Sequence, residues 1–156
     1  MKEILLSFHP RAYGPLYDGI KMYEYRKRFC EEETKAYLYL SGKVRCIVGV
    51  MMLGEKIRLD RTRDNYLKYP ETLKRVDEYI ALGDINAVPI KSLTLFKEPI
   101  SLEEIRSYVS NFRPPRMYYV LNEDKPIMKL LKERELDKPL FVHKHDGIYY
   151  DNLGKY

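Results

Sequence analysis

A chain of 156 residues with 45% apolar and 33% charged side chains has the make-up of a folded globular protein, which excludes a disordered or fibrous one. The formal net charge of +5 favours a polyanionic partner wherever the basic residues cluster. No run of about 18 apolar residues and no basic-then-apolar leader occurs, so neither a membrane span nor a secretory signal is expected, and the expected location is cytoplasmic.

In chain order, the run at 3–8 predicts a short buried strand, ended by His9-Pro10 because the residue before proline is pushed out of the helical region. Pro10 can open a helix through Leu16 and Tyr17 that stops at Gly19, although Gly14-Pro15 inside it predicts a late start or a broken turn. His9 reads as a local hydrogen-bonding residue rather than a catalytic base.

The stretch 19–28, G-I-K-M-Y-E-Y-R-K-R, follows a turn glycine and alternates charge with aromatic rings. Run as a strand, it puts Glu24, Arg26 and Arg28 on one face with Met22, and Tyr23, Tyr25 and Lys27 on the other. A carboxylate beside a guanidinium fixes where the fork of donors points. The turn at Gly19 can swing the Lys21 ammonium back toward that pair. Taken alone, the segment also fits a solvated strand of mixed charge.

Residues 34–40 and 45–53 are apolar runs joined through Ser41-Gly42, the pattern of a hairpin in the middle of a sheet. Gly49 inside the second run predicts a bulge or a close approach of backbone. Residues 55–63 form a charged connection with Arg58, Arg61 and Arg63. Pro70 opens a helix with Leu73, Val76 and Ile80 on one face, Lys74 and Arg75 on the other, and Gly83 as its stop. Residues 88–96 predict a strand, with Pro89 confined to its beginning or to an edge. Ser101 and Glu104 predict a capping box for a short helix. The stiff basic turn Phe112-Arg113-Pro114-Pro115-Arg116 leads into a strand at 117–121. Asn122 is expected to cap a helix with Leu121 as its hydrophobic staple, and residues 139–150 to form a small terminal hairpin or hook. Many short strands broken by short helices predict a mainly β protein: a compact barrel with helices plugging its ends.

Several chemistries lack their motifs. No glycine-rich phosphate loop, HExxH or paired-cysteine motif occurs. Cys30 and Cys46 are too few for a thiolate zinc site and read as buried thiols. His143, His145 and Asp146 read as surface, so no metal site and no cofactor are expected. No nucleophile elbow supports a serine hydrolase.

The strand I-L-L-S-F-H-P, the short helix, Gly19-x-Lys21-x-x-Glu24-x-Arg26-Lys27, then Y-L-Y-L, I-V-G-V-M-M-L and Pro114-Pro115-Arg116-Met117-Tyr118-Tyr119 together resemble the ASCH domain family of the PUA-like superfamily, over residues 3–121. The length predicts a single domain over 1–156, in which 122–156 add a helix and hairpin beyond the resemblance. The resemblance implies a PUA-like β-barrel (α+β) with Lys21, Glu24 and Arg26 gathered in a cleft, and RNA or a modified nucleoside as ligand. A small bacterial relative that hydrolyses N4-acetylcytidine carries threonine where this chain has Glu24, so the same amidohydrolase mechanism is not expected.

The first expectation is therefore a module that binds RNA or a nucleotide-like anion. Lys21, Arg26 and Arg28 would meet phosphates or an acidic edge. Glu24 would orient Arg26 or accept a base amine, and Tyr23 or Tyr25 would stack a base. Arg58, Arg61 and Arg63 would widen the positive surface, while Arg113 and Arg116 line the opposite rim and His9 the mouth. The alternatives are an enzyme that hydrolyses a modified nucleoside or cleaves RNA, with Lys21 as nucleophile or base and Glu24 as proton shuttle, and a protein-interaction regulator using tyrosine clusters such as Tyr37/Tyr39 or Tyr149/Tyr150.

Overall fold

The computed structural model describes residues 1–156, and strands dominate it. In chain order the elements are β1 (Lys2–Phe8), α1 (Pro10–Tyr17), β2 (Tyr23–Arg26), β3 (Thr34–Leu40), β4 (Cys46–Leu53) and β5 (Ile57–Arg58). Then come α2 (Leu59–Thr62), a 3-10 turn (Arg63–Tyr66), α3 (Pro70–Leu82), β6 (Asn86–Ser101), α4 (Leu102–Tyr108), β7 (Tyr118–Val120), α5 (Pro126–Glu135) and β8 (Phe141–Lys144). The strands form one sheet in the order β2-β6-β4-β3-β1-β7, with β5 and β8 also paired to β6. All pairs are antiparallel except β1 with β3. The sheet curls into a half-barrel: its path ends at β2 and β7, which do not pair with each other.

Both faces of the sheet are covered, which is why β1 and β4 read as unbroken apolar runs rather than alternating ones. Ile4, Leu6 and Phe8 enter one core with Leu16 of α1, while Leu5 enters another with Ile105 of α4 and Leu131 of α5. A third core joins Tyr23 of β2 to Leu59, Val76 of α3 and Leu153 near the C-terminal end.

The long strand β6 organises the sheet by pairing with β2 and β5 at its start, and with β4 and β8 farther on. Gly49 lies at a register shift in β4, and a Cβ there would overlap the Thr94 carbonyl oxygen, so the close backbone approach read from the sequence is real. Pro89 lies inside β6, not at its start. It sits opposite Tyr23 of β2, and its carbonyl accepts from the Gly54 N–H at 2.9 Å.

The predicted helices hold with local corrections. The helix α1 runs through Pro15 without breaking. Ser101 caps α4 through a bond from the Glu104 N–H at 3.0 Å, but the Glu104 carboxylate turns to Arg134 instead of closing the box. Gly83 ends α3 at φ 83, as its position implied. The cap of α5 is Lys125 followed by Pro126, so Asn122 only starts the turn before it, its carbonyl accepting from the Lys125 N–H. No hairpin forms over 139–150. A single strand, β8, adds to β6, and the chain beyond it crosses the molecule toward β2.

Candidate functional site

Gly19 adopts φ 75, and behind it the amides of Ile20 and Lys21 both donate to the Pro15 carbonyl at 3.0 Å. This doubled anchor reverses the chain and sends the Lys21 side chain back under the Tyr25 ring, 5.2 Å from its centroid. The strand β2 then carries Glu24 and Arg26 on one face, as the two-residue repeat requires. Lys21 Nζ lies 3.9 Å from Glu24 Oε2, and Arg26 Nε lies 3.3 Å from Glu24 Oε1. The three charged groups therefore converge.

They do not all face the same space. Glu24 and Arg26 line an open cleft of about 520 Å³ together with Ser7, Phe8, His9, Ala12, Ser41, Pro115 and Arg116. Lys21 is absent from that lining. Only 4% exposed, it donates from Nζ to the Tyr156 carbonyl oxygen at 2.8 Å, beneath the C-terminal segment. Burial lowers the Lys21 pKa below the usual lysine range; Glu24 opposes the shift and Arg26 adds to it.

The polar accounting around the pair is incomplete. Arg26 Nη2 donates to the Ser7 carbonyl at 3.1 Å, but Arg26 Nε is out of hydrogen-bonding alignment with the carboxylate despite its proximity. Glu24 Oε2 and Asn86 Oδ1 are also buried without a partner. Unpaired buried polar atoms are rare, and their concentration at one motif marks it out. A larger concavity, about 600 Å³, lies between Tyr69, Arg75 and Lys155. It has no comparable convergence of a buried carboxylate with a guanidinium, so the smaller cleft is the candidate site.

The structure sorts the other residues read from the sequence. His9 does what its position implied: Nδ1 accepts from the Arg11 N–H at 3.1 Å, capping α1, and the exposed ring lines the cleft. Arg116 lines the cleft; Arg113 is exposed but outside it. Arg28 and Arg61 are exposed and also outside it. Arg58 is paired with Asp60 at 2.8 Å and Arg63 with Asp77 at 2.7 Å, so this stretch does not extend the cleft. Tyr23 is 3% exposed, and its hydroxyl accepts from the Tyr149 N–H, so it is no stacking platform. The Tyr25 ring stacks on Tyr79 at 4.3 Å. Tyr37 and Tyr39 are buried in the core and unavailable as protein hot spots.

Sequence reasoning missed Ser7, Phe8, Ala12, Ser41 and Pro115 in the lining. Ser7 had a signal, as a polar residue set between the apolar Leu6 and Phe8. Its carbonyl takes the Arg26 fork, and its hydroxyl donates to the Pro115 carbonyl at 2.5 Å.

The superposition of known structures now decides the architecture. The structure of ASCH from Zymomonas mobilis matches with a TM-score of 0.59 over 84% of this chain and 94% of that one, at 19% identity. The fold is that of the ASCH domain. Two mutant proteins of the Zymomonas mobilis ASCH agree. A serine-to-alanine mutant matches at a TM-score of 0.60, 19% identity and coverage of 85% and 96%. A tyrosine-to-phenylalanine mutant matches at 0.60, 18% identity and coverage of 85% and 98%. No family model matches the sequence, and no curated protein does. In this ASCH fold no helix is long and apolar enough to cross a membrane.

Proposed function

We propose that this chain is an RNA-binding module that takes its ligand in the cleft between β1, β2 and the turn before β7. The observation that carries the reading is the Arg26 guanidinium, oriented by the Ser7 carbonyl and by Glu24 in a cleft that Arg116 and His9 also line. A guanidinium held in place loses little freedom on meeting a phosphate, and an exposed arginine opposite supplies a second contact. The ASCH fold agrees with such a ligand, and the net charge of +5 favours a polyanion. The volume of about 520 Å³ lies within the range of small-molecule sites and accommodates a nucleotide unit.

Fluorescence anisotropy with labelled single-stranded and hairpin RNA, read across salt concentrations, tests the proposal. Affinity should fall log-linearly with salt, with a slope set by the phosphates neutralised. Flat traces for every RNA at low salt would contradict it.

A further inference from the structure

Residues 149–156 cross the segment that carries Lys21, and they are gripped mostly through their main chain. The amides of Tyr149 and Gly154 donate to the hydroxyls of Tyr23 and Tyr25. The carbonyls of Tyr150, Asp151 and Leu153 accept from Thr72 Oγ1 at 2.7 Å, Arg75 Nη2 at 2.9 Å and Arg75 Nε at 2.9 Å. Asn152 clasps the turn after Gly19: its Oδ1 accepts from the Met22 N–H at 3.1 Å, and its Nδ2 donates to the Ile20 carbonyl at 2.7 Å. Leu153 is buried against Tyr23, Val76 and Ala87, and the half-buried rings of Tyr149 and Tyr150 pack on the same core, Tyr150 against both Tyr66 and Tyr69.

The end of this segment takes the place of a ligand. The Lys21 ammonium points at the Tyr156 carbonyl oxygen, while Glu24 Oε2 stands 3.9 Å from it, buried and without a hydrogen-bond partner. A lysine adjoining a buried carboxylate would ordinarily satisfy it. Here the ammonium is drawn away, and one of the three charges of the motif is closed off from the cleft that the other two line.

We propose that residues 149–156 are an autoinhibitory strap that competes with RNA for Lys21. The proposal takes its ligand from the RNA-binding reading of the cleft. With the strap in place, only Arg26 and Glu24 of the motif are presented. With the strap released, Lys21 joins them and adds a cation to the same site. Release requires breaking the main-chain bonds and the two bonds of the Asn152 side chain, and exposing Leu153 with the rings of Tyr149 and Tyr150, which is a local opening rather than global unfolding. A ligand that meets Lys21 only in the open form binds with an apparent affinity reduced by the fraction open, so loosening the strap tightens binding.

The test uses the full chain with Asn152→Ala and, separately, Leu153→Ala, neither of which touches the cleft. Two readouts are taken. One is the rate of Lys21 acylation by an N-hydroxysuccinimide ester, mapped by mass spectrometry. The other is the affinity for a single-stranded RNA octamer. Lys21 should react slowly in the parent chain and at least about tenfold faster in the variants, and the octamer should bind about fivefold more tightly. Asn152→Ala decides the matter if loss of the leucine compromises folding. Unchanged Lys21 reactivity in folded Asn152→Ala overturns the strap, as does faster reactivity with RNA affinity unchanged or lowered. Faster Lys21 reactivity with no RNA binding by any form overturns the RNA reading, and with it the competition, while the strap stands as a cover for the lysine.

Discussion

Arg26 Nη2 donates to the Ser7 carbonyl at 3.1 Å, and through that bond a side chain of β2 reaches β1 across the opening of the half-barrel. The same guanidinium sits 3.3 Å from a carboxylate that is nine-tenths buried. Arg26→Met should leave Glu24 with no cation nearer than Lys21, and destabilise the protein by about 3 kcal/mol, the usual cost of a buried charge stripped of its partner. Glu24→Leu combined with Arg26→Met should recover most of that loss. Urea unfolding of the singles and the double closes the cycle; additive losses would show that the two side chains do not act as a pair.

Packing at Gly49 makes a second prediction. A Cβ there would overlap the backbone carbonyl oxygen of Thr94, which cannot swing aside as a flexible side chain would. Gly49→Ala should force β4 and β6 apart and cost about 2 kcal/mol or more in stability to urea. Gly14→Ala is the control, since a Cβ there meets nothing within 4 Å. Equal midpoints for the two variants would contradict the packing described.

Stability should fall on the alkaline side. Burial pushes the phenols of Tyr13 and Tyr119 up to about 12, and raises those of Tyr25 and Tyr37 as well. A group with a raised folded-state pKa binds more protons folded than unfolded once pH passes its unfolded value near 10. Its stabilisation is complete below that value and is lost as pH climbs through the folded one. Lys21 acts with the opposite sign: its pKa is lowered, so the folded state sheds that proton first and gains stability as pH approaches the ordinary lysine value. The tyrosines dominate by number. The urea midpoint should therefore drop between pH 9 and pH 11 by an amount that shrinks in Tyr119→Phe, and a drop unaffected by that substitution would remove Tyr119 as a cause.

Binding should separate arginines that look alike in the sequence. Arg116→Ala should weaken RNA binding and reduce the salt slope by about 0.7–0.9, the contribution of one phosphate contact. Arg58→Ala and Arg63→Ala, whose guanidinium groups already pair with Asp60 and Asp77, should leave the slope unchanged. Equal losses at all three positions would point to diffuse attraction by net charge rather than to the cleft.

How legible this was depended on the range of the information required. The strands β1, β3 and β4, the stop of α3 at Gly83 and the bulge glycine are set by local patterning, and the spacing of Lys21, Glu24 and Arg26 already implied that they meet. Which side of Glu24 each cation occupies was not legible. That depends on residues 149–156 folding back over Lys21, a contact across more than a hundred residues that no periodicity encodes. Tyr23 failed as a stacking platform for the same reason, because its hydroxyl is taken by the Tyr149 amide. The pairing of Arg63 with Asp77 on α3 likewise required the helix to dock beside the charged connection.

The most direct test of the account is a map of where RNA touches. With uniformly 15N-labelled protein titrated with a single-stranded RNA octamer, the account predicts shifts centred on Ser7, His9, Ser41 and Arg116, together with the Arg26 side-chain signal. Residues around Arg58 and Arg63 should stay still. Shifts confined to those residues, or scattered over the surface while the cleft remains silent, would contradict the claim that the cleft holding Glu24 and Arg26 is the binding site.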